Sequence, residues 1–197
     1  MDPENEVAYE NEVLAGLEVA FLIAIEGAEE SETLQPWEAV AEAGGHAVLL
    51  SPQDGHAQLF EYLDRGTRLP VDRTLAEVSP HEFDALVLPG GAANADLLRG
   101  ESKAVDFTRA IFAAGKPVAA IGHAPWLLVE ADLVTGRSLT SWPSLRTDIR
   151  NAGGNWRDEP VVLCESGPNV LITSRGPDDL PIFCDTLVQR FAETAPG

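Results

Sequence analysis

The distribution of apolar and polar positions sets out the architecture first. Leu17–Ile25 is an almost unbroken apolar run, the pattern of a strand covered on both faces. A helix is expected over 31–43, with Glu29, Glu30 and Glu32 around its first turn, where acidic groups favour the helix dipole. Gly44-Gly45 ends it, and Ala47–Leu50 reads as the next strand. Residues 52–80 mix Gly, Asp and Pro with short apolar pieces and predict a small antiparallel excursion. Ala85–Leu88 then forms a strand ending at Pro89-Gly90-Gly91, followed by a helix over 102–114. Val118–Ile121 is a further buried strand running into Gly122-His123-Ala124-Pro125 and a short helix over 126–131. A strand over 138–141, a helix over 144–152, a hairpin of 161–164 with 170–174 and a helix over 178–193 complete the reading.

Strands alternating with helices in this order imply an α/β domain, a mostly parallel sheet with helices on both faces. Sites in such sheets form beyond the carboxyl ends of the strands. Glu26–Glu32, Pro89–Asn94 and Gly122–Pro125 are the segments that reach that edge. The last turns directly from strand to helix, which makes an elbow whose tip points into a pocket beside helix-terminal N–H groups. One domain is expected over 17–193, flanked by an acidic tail at 1–16 and a short end at 194–197.

Composition narrows the function classes. A net charge of −19 argues against nucleic acid and anionic membranes as partners. No apolar run approaches the roughly 18–20 residues of a membrane span, and the acidic start differs from a secretory signal, so a cytoplasmic location is expected. Cys164 and Cys184 make no disulfide framework, and the absence of CxxC or Cys/His clusters predicts no metal. Neither phosphate-loop nor dinucleotide fingerprints occur, so no cofactor is expected.

Several segments resemble one family. Ala-Leu-Val-Leu-Pro-Gly-Gly (85–91), Gly-Lys-Pro-Val-Ala-Ala-Ile (115–121), Leu-Thr-Ser-Trp-Pro-Ser (139–144), Asn-Ala-Gly (151–153), Trp156-Arg-Asp-Glu159 and Thr-Ser-Arg-Gly-Pro-Asp-Asp-Leu-Pro (173–181) are similar to the PfpI and general-stress-protein branch of the ThiJ/PfpI superfamily. Gly27-Ala-Glu-Glu-Ser-Glu-Thr33 is similar to the branch of the human Parkinson-disease protein. The resemblance implies a flavodoxin-like three-layer sandwich, like class I glutamine amidotransferases, and a homo-oligomer, dimer or hexamer. It also implies an elbow reading Ala-Ile-Cys-His-Gly-Pro-Trp. There a nucleophilic cysteine is supported by a glutamate matching Glu32, by a histidine matching His123 and by an acidic residue of a neighbouring subunit.

This chain instead reads Ala120-Ile-Gly-His-Ala-Pro-Trp126. Gly122 stands at the nucleophile position, Ala124 replaces the usual glycine, and Ala92-Ala-Asn-Ala95 precedes the first acidic residue after Pro-Gly-Gly, Asp96. Glycine adopts a strained elbow without a Cβ penalty, so its presence reads as a decayed site ahead of a repurposed or engineered one. Without the resemblance, Glu32 is a carboxylate that complements a helix dipole; with it, Glu32 points into the pocket. His123 is a base near neutral pH or a pocket-wall ring, with nothing in the sequence to choose between them. Gly90 and Gly91 either donate to an oxyanion or serve a tight turn. Gly90, Gly91, Ala124 and Trp126 are the expected ligand-binding positions, while Trp126, Trp142 and Trp156 also suit core or interface packing. Both cysteines read as structural.

Two function classes follow. One is a non-catalytic, stress-type member whose pocket holds water, a small anion or a small carbonyl compound. The other is a cysteine-independent hydrolase or lyase in which His123 or Glu32 activates water or acts on a small oxo-compound. The first is the preferred reading, because attack on a carbonyl requires an activated nucleophile.

Overall fold

Alternation along the first apolar run sorts its side chains to the two faces of one sheet. Val19, Phe21 and Ile23 enter one core, and Ala20, Leu22 and Ala24 the other. The computed structural model describes residues 12–194. The first half comprises β1 (Glu18–Leu22), β2 (Glu26–Glu29), α1 (Glu30–Glu42), β3 (His46–Ser51), β4 (His56–Glu61), β5 (Asp64–Pro70) and β6 (Arg73–Thr74). β7 (Ala85–Leu88), α2 (Ala92–Arg99), α3 (Ser102–Ala113), β8 (Val118–Ile121), α4 (Pro125–Glu130) and β9 (Ser138–Leu139) follow. α5 (Arg146–Asn151), β10 (Asn155–Trp156), β11 (Val161–Cys164), β12 (Leu171–Ser174) and α6 (Leu180–Ala192) complete it.

The main sheet has the order β11-β12-β8-β7-β1-β3-β6, parallel throughout except for the antiparallel β11–β12 pair. Side chains of α1 and α6, including Val40, Phe183, Leu187 and Phe191, fill the core on one face. Ala104, Ile111 and Phe112 of α3 and Leu127 and Leu128 of α4 fill the other. Burial of these apolar surfaces is the main favourable term in the fold. The chain passes from β1 to β3 on one side and returns to β7 on the other. That reversal opens a crevice beyond the ends of β1 and β7, as in other open parallel sheets.

The structure departs from the sequence expectations at identifiable places. The excursion contains the antiparallel hairpin β4–β5, but β4 also pairs in parallel with β2, a segment read as loop. A three-stranded flap therefore stands beside the crevice. The α2 helix was not foreseen, because its eight residues carry too short an apolar period to signal a helix. The strand expected over 138–141 shrinks to Ser138–Leu139 and pairs with β10 outside the main sheet. Of the expected tail, residues 12–16 pack on the domain. Leu14 is fully buried and its N–H donates to Ala43 O at 2.8 Å, a contact a single leucine makes without any periodicity. The rest of the acidic tail, residues 1–11, and the end at 195–197 lie outside the described residues.

One buried side chain ties the crevice together. Asn94 accepts from Ala24 N–H at 2.7 Å and donates from Nδ2 to Pro89 O at 3.0 Å and Gly90 O at 3.2 Å. It thereby fixes the end of β1 against the loop after β7. Asn94→Ala leaves these buried backbone groups without their partner, and a loss of about 2–4 kcal/mol is expected in denaturant unfolding. A change below about 0.5 kcal/mol would show that the clamp is dispensable.

Candidate functional site

Beyond β1, β7 and β8 lies a cleft of about 740 Å³. Its floor is Glu32, in the first turn of α1 and only 3% exposed. Three loops with glycine at the point of closest approach surround the carboxyl: Gly90 after β7, Gly122 after β8 and Gly176 after β12. A Cβ added at Gly90 would collide with Glu32 Oε2, and one at Gly122 would lie 2.7 Å from the same oxygen. A Cβ at Gly176 would lie 3.7 Å from Oε1. The absence of side chains at Gly90 and Gly122 is what admits the carboxyl, whereas a Cβ at Gly176 would meet it at ordinary contact distance.

Burial of Glu32, reinforced by the nearby charge of Glu29 and opposed by the Gly90 N–H, pushes its pKa up to about 8. The carboxyl is therefore protonated at neutral pH. Its Oε2 is buried and completes no hydrogen bond with the described residues. Glu29, half-buried on β2, is also raised: burial leads, with Glu61 and Glu30 adding, while the Tyr62 N–H donates to it at 3.1 Å and opposes.

The elbow has φ +65° at Gly122, the left-handed region where a side chain is strained. Its backbone groups are engaged. Gly122 N–H donates to Ser174 O at 3.1 Å, and Gly122 O accepts from Trp142 N–H at 2.8 Å. Ala124 N–H donates to Ile121 O at 3.1 Å and Trp126 N–H to His123 O at 3.0 Å. These bonds engage the Gly122 N–H with β12 and the Ala124 and Trp126 N–H groups within the turn. His123 lines the cleft, stacked on Trp142 at 5.9 Å between centroids and edge-on to Trp126 at 5.3 Å. Burial holds its pKa below the usual histidine value, so the ring is neutral at pH 7.

Glu32, His123, Gly122 and Gly90 come together as the sequence indicated, and Gly91 lines the cleft. Gly91 has φ +101°, and a Cβ there would strike the Gly27 carbonyl, so it serves the close approach of two loops. Two expected ligand contacts are corrected. Ala124 is buried in the core, and Trp126 turns outward, donating to Asp148 Oδ2 at 2.8 Å under the Arg99 guanidinium. Trp142, read as a packing residue, is instead 43% exposed and lines the cleft. Asp96, the acidic residue after Pro-Gly-Gly, is exposed on α2 and paired with Arg99 at 2.9 Å.

Sequence reasoning missed the flap. Phe60 and Tyr62 of the hairpin, with Glu26 and Glu29 of β2, form one wall of the cleft. The signal was the apolar stretch Phe60-Glu-Tyr-Leu63 within an otherwise polar excursion, and Tyr62 takes φ 59° at the hairpin tip. Neither cysteine lines the cleft. Burial pushes the Cys164 thiol up, but hydrogen bonds led by Arg137 Nε at 3.2 Å bring it down to about 7. Burial raises Cys184 on α6 to about 11. Among the described residues no group of three or more His, Cys, Asp or Glu side chains is placed to hold a metal ion, and no helix is long and apolar enough to cross a membrane.

The raised Glu32 pKa has a defined sign in stability. Between about pH 4.5 and 8 the unfolded chain has lost this proton while the folded chain keeps it, so the Glu32 contribution falls as pH rises through that window. Glu32→Gln mimics the neutral acid and is expected to flatten that slope, by comparison of denaturant unfolding at pH 5 and pH 8.5. An unchanged slope would show that Glu32 is ionised in the fold at neutral pH.

Comparison with known proteins agrees with this architecture. Residues 17–190 match the DJ-1/PfpI family. The chain is 40% identical over 155 residues to protein/nucleic acid deglycase 2 of Escherichia coli, covering 79% of this chain and 87% of that protein. It is 38% identical over 156 residues to general stress protein 18 of Bacillus subtilis, with the same coverage, 79% and 87%. The crystal structure of Drosophila melanogaster DJ-1beta superposes with a TM-score of 0.78 at 29% identity, covering 90% of this chain and 92% of that one. With its flavodoxin-like sheet and helices on both faces, the chain belongs to the DJ-1/PfpI family.

Proposed function

We propose that this protein is a stress-type member of its family that retains the pocket as a binding site and lacks thiol chemistry. The observation that carries the reading is Gly122 itself. At the elbow tip, directly over the buried Glu32 carboxyl, there is no side chain to attack a carbonyl. Covalent catalysis needs an activated nucleophile within reach, and neither Cys164 nor Cys184 lines the cleft. The names of the relatives, a deglycase and a general stress protein, support the stress-type setting. What remains is a cleft with a neutral acid at its floor, a neutral imidazole on its wall and aromatic rings at its mouth.

One observation favours a second reading. Glu32 keeps its proton and His123 stays unprotonated at neutral pH in the same cleft, which is the pairing an acid–base reaction on a small oxo-compound requires. In that reading Glu32 protonates the developing oxyanion and His123 takes a proton from water or from the carbon next to the carbonyl.

Methylglyoxal consumption by the native protein and by Gly122→Cys separates the two. A cysteine Cβ displaces the Glu32 carboxyl by a few tenths of an ångström, so Gly122→Ala serves as the control for folding. The binding-site reading predicts turnover by Gly122→Cys alone, at least about 100-fold above the native protein. Native turnover that is lost in both Glu32→Gln and His123→Ala would overturn it in favour of the acid–base reading.

A further inference from the structure

The cleft carries an electrostatic signature that the elbow does not explain. Three carboxyl groups, Glu26, Glu29 and Glu32, face it, and among the described residues no lysine or arginine lines it. Arg99 and Arg175, the nearest candidates by sequence, are engaged elsewhere. Arg99 lies over Trp126 and pairs with Asp96, and Arg175 is held by Asp179 at 2.8 Å and Asp158 at 3.0 Å. Of the elbow N–H groups, those of Gly122, Ala124 and Trp126 are already hydrogen-bonded.

The same walls are aromatic. Phe60, Tyr62 and Trp142 line the cleft; Tyr62 is 83% exposed, and Trp142, with one face stacked on His123, is 43% exposed. Carboxyl groups and exposed aromatic rings around one volume favour a cation, which pairs with a carboxylate formed on binding and with the ring quadrupole. The carboxyls surround this volume instead of converging on a point, since no metal-holding cluster occurs among the described residues. That arrangement favours a cation with an apolar body. The deepest carboxyl oxygen, Glu32 Oε2, is buried beside the Gly90 N–H and completes no hydrogen bond of standard geometry among the described residues.

We infer that the cleft is a binding site for an organic cation, an amidinium, guanidinium or ammonium group carried on an apolar body, with its N–H donors on Glu32 and Glu29 and its body between Tyr62 and Trp142. This rests on the reading of the protein as a binding member and names the ligand class of that site. The cation's source is either a free small molecule or an arginine or lysine side chain of a peptide. Binding is linked to protons. The cation favours the ionised carboxyl, so Glu32 releases its proton on binding and affinity rises with pH through about 8. The groups facing Glu32 are Glu29 of β2, whose own raised pKa acts in the same direction, and His123 of the elbow, which stays neutral over this range.

Isothermal titration of the full chain tests this with benzamidinium, its neutral isostere benzamide and its anionic analogue benzoate, at pH 6.5 and pH 9. The expected result is saturable binding of benzamidinium alone, about tenfold tighter at pH 9, with proton release measurable in buffers of different ionisation enthalpy. Glu32→Gln, which keeps the shape of the neutral acid, is expected to abolish the pH dependence and weaken binding at pH 9 about tenfold. Glu29→Gln is expected to weaken it without removing the dependence. Nα-acetyl-arginine amide in parallel distinguishes the sources: tighter than benzamidinium assigns a peptide side chain, weaker a free small molecule. Benzoate or benzamide binding as tightly as benzamidinium, or no saturable cation binding at millimolar concentration, would overturn the inference. None of these titrations involves turnover. Their failure therefore leaves the non-catalytic reading to the methylglyoxal comparison, while native turnover would overturn that reading without altering the titrations.

Discussion

A single carboxyl group, that of Glu32, is the constraint around which the site is arranged. Burying it beneath the ends of β7 and β8 demands room that only glycine provides, and Gly90 and Gly122 provide it. Burying it without a cation demands that it keep its proton, because an isolated buried carboxylate is far more costly than a neutral acid. The left-handed backbone at Gly122, the approach of the Gly27 and Gly91 loops and the Asn94 clamp all hold strand ends around this one group. The sheet supplies the rigid frame, and the carboxyl fixes what the frame can hold.

From this follows the division of labour in the cleft. At Gly122 the elbow contributes only backbone and a close-packed glycine. Chemistry that needs covalent attack has no atom to perform it at that point. The side chains that face the cleft come from its walls: the β2–β4–β5 flap with Glu29, Phe60 and Tyr62, and the Trp142 ring laid against His123. The overall negative charge of the chain adds a long-range field that concentrates cations near such a cleft.

The sequence made the parallel sheet legible because its central strands are continuous apolar runs ending in glycine, the least ambiguous of local patterns. β1, β7 and β8 lie where their runs indicated. Glu32 and His123 were legible through resemblance, not through periodicity, since a glutamate in the first turn of a helix looks like any dipole-complementing carboxylate. The flap was not legible. β2 is four residues long and contains a glycine, and its pairing with β4 joins segments some thirty residues apart. Short strands paired at a distance leave no local signature. Trp142 and Trp126 exchanged roles for a similar reason: which indole faces the cleft depends on Asp148 and Arg99 meeting Trp126 in space.

The protonation state of Glu32 is the most direct test of this account. Isotope-edited infrared spectroscopy of protein with labelled glutamate carboxyls, with Glu32→Gln as the subtraction, reports the neutral acid as a distinct C=O band. Such a band is expected at pH 7, giving way to carboxylate as the pH passes about 8. A difference spectrum at pH 7 showing only carboxylate, titrating near the ordinary value of about 4.3, would contradict it.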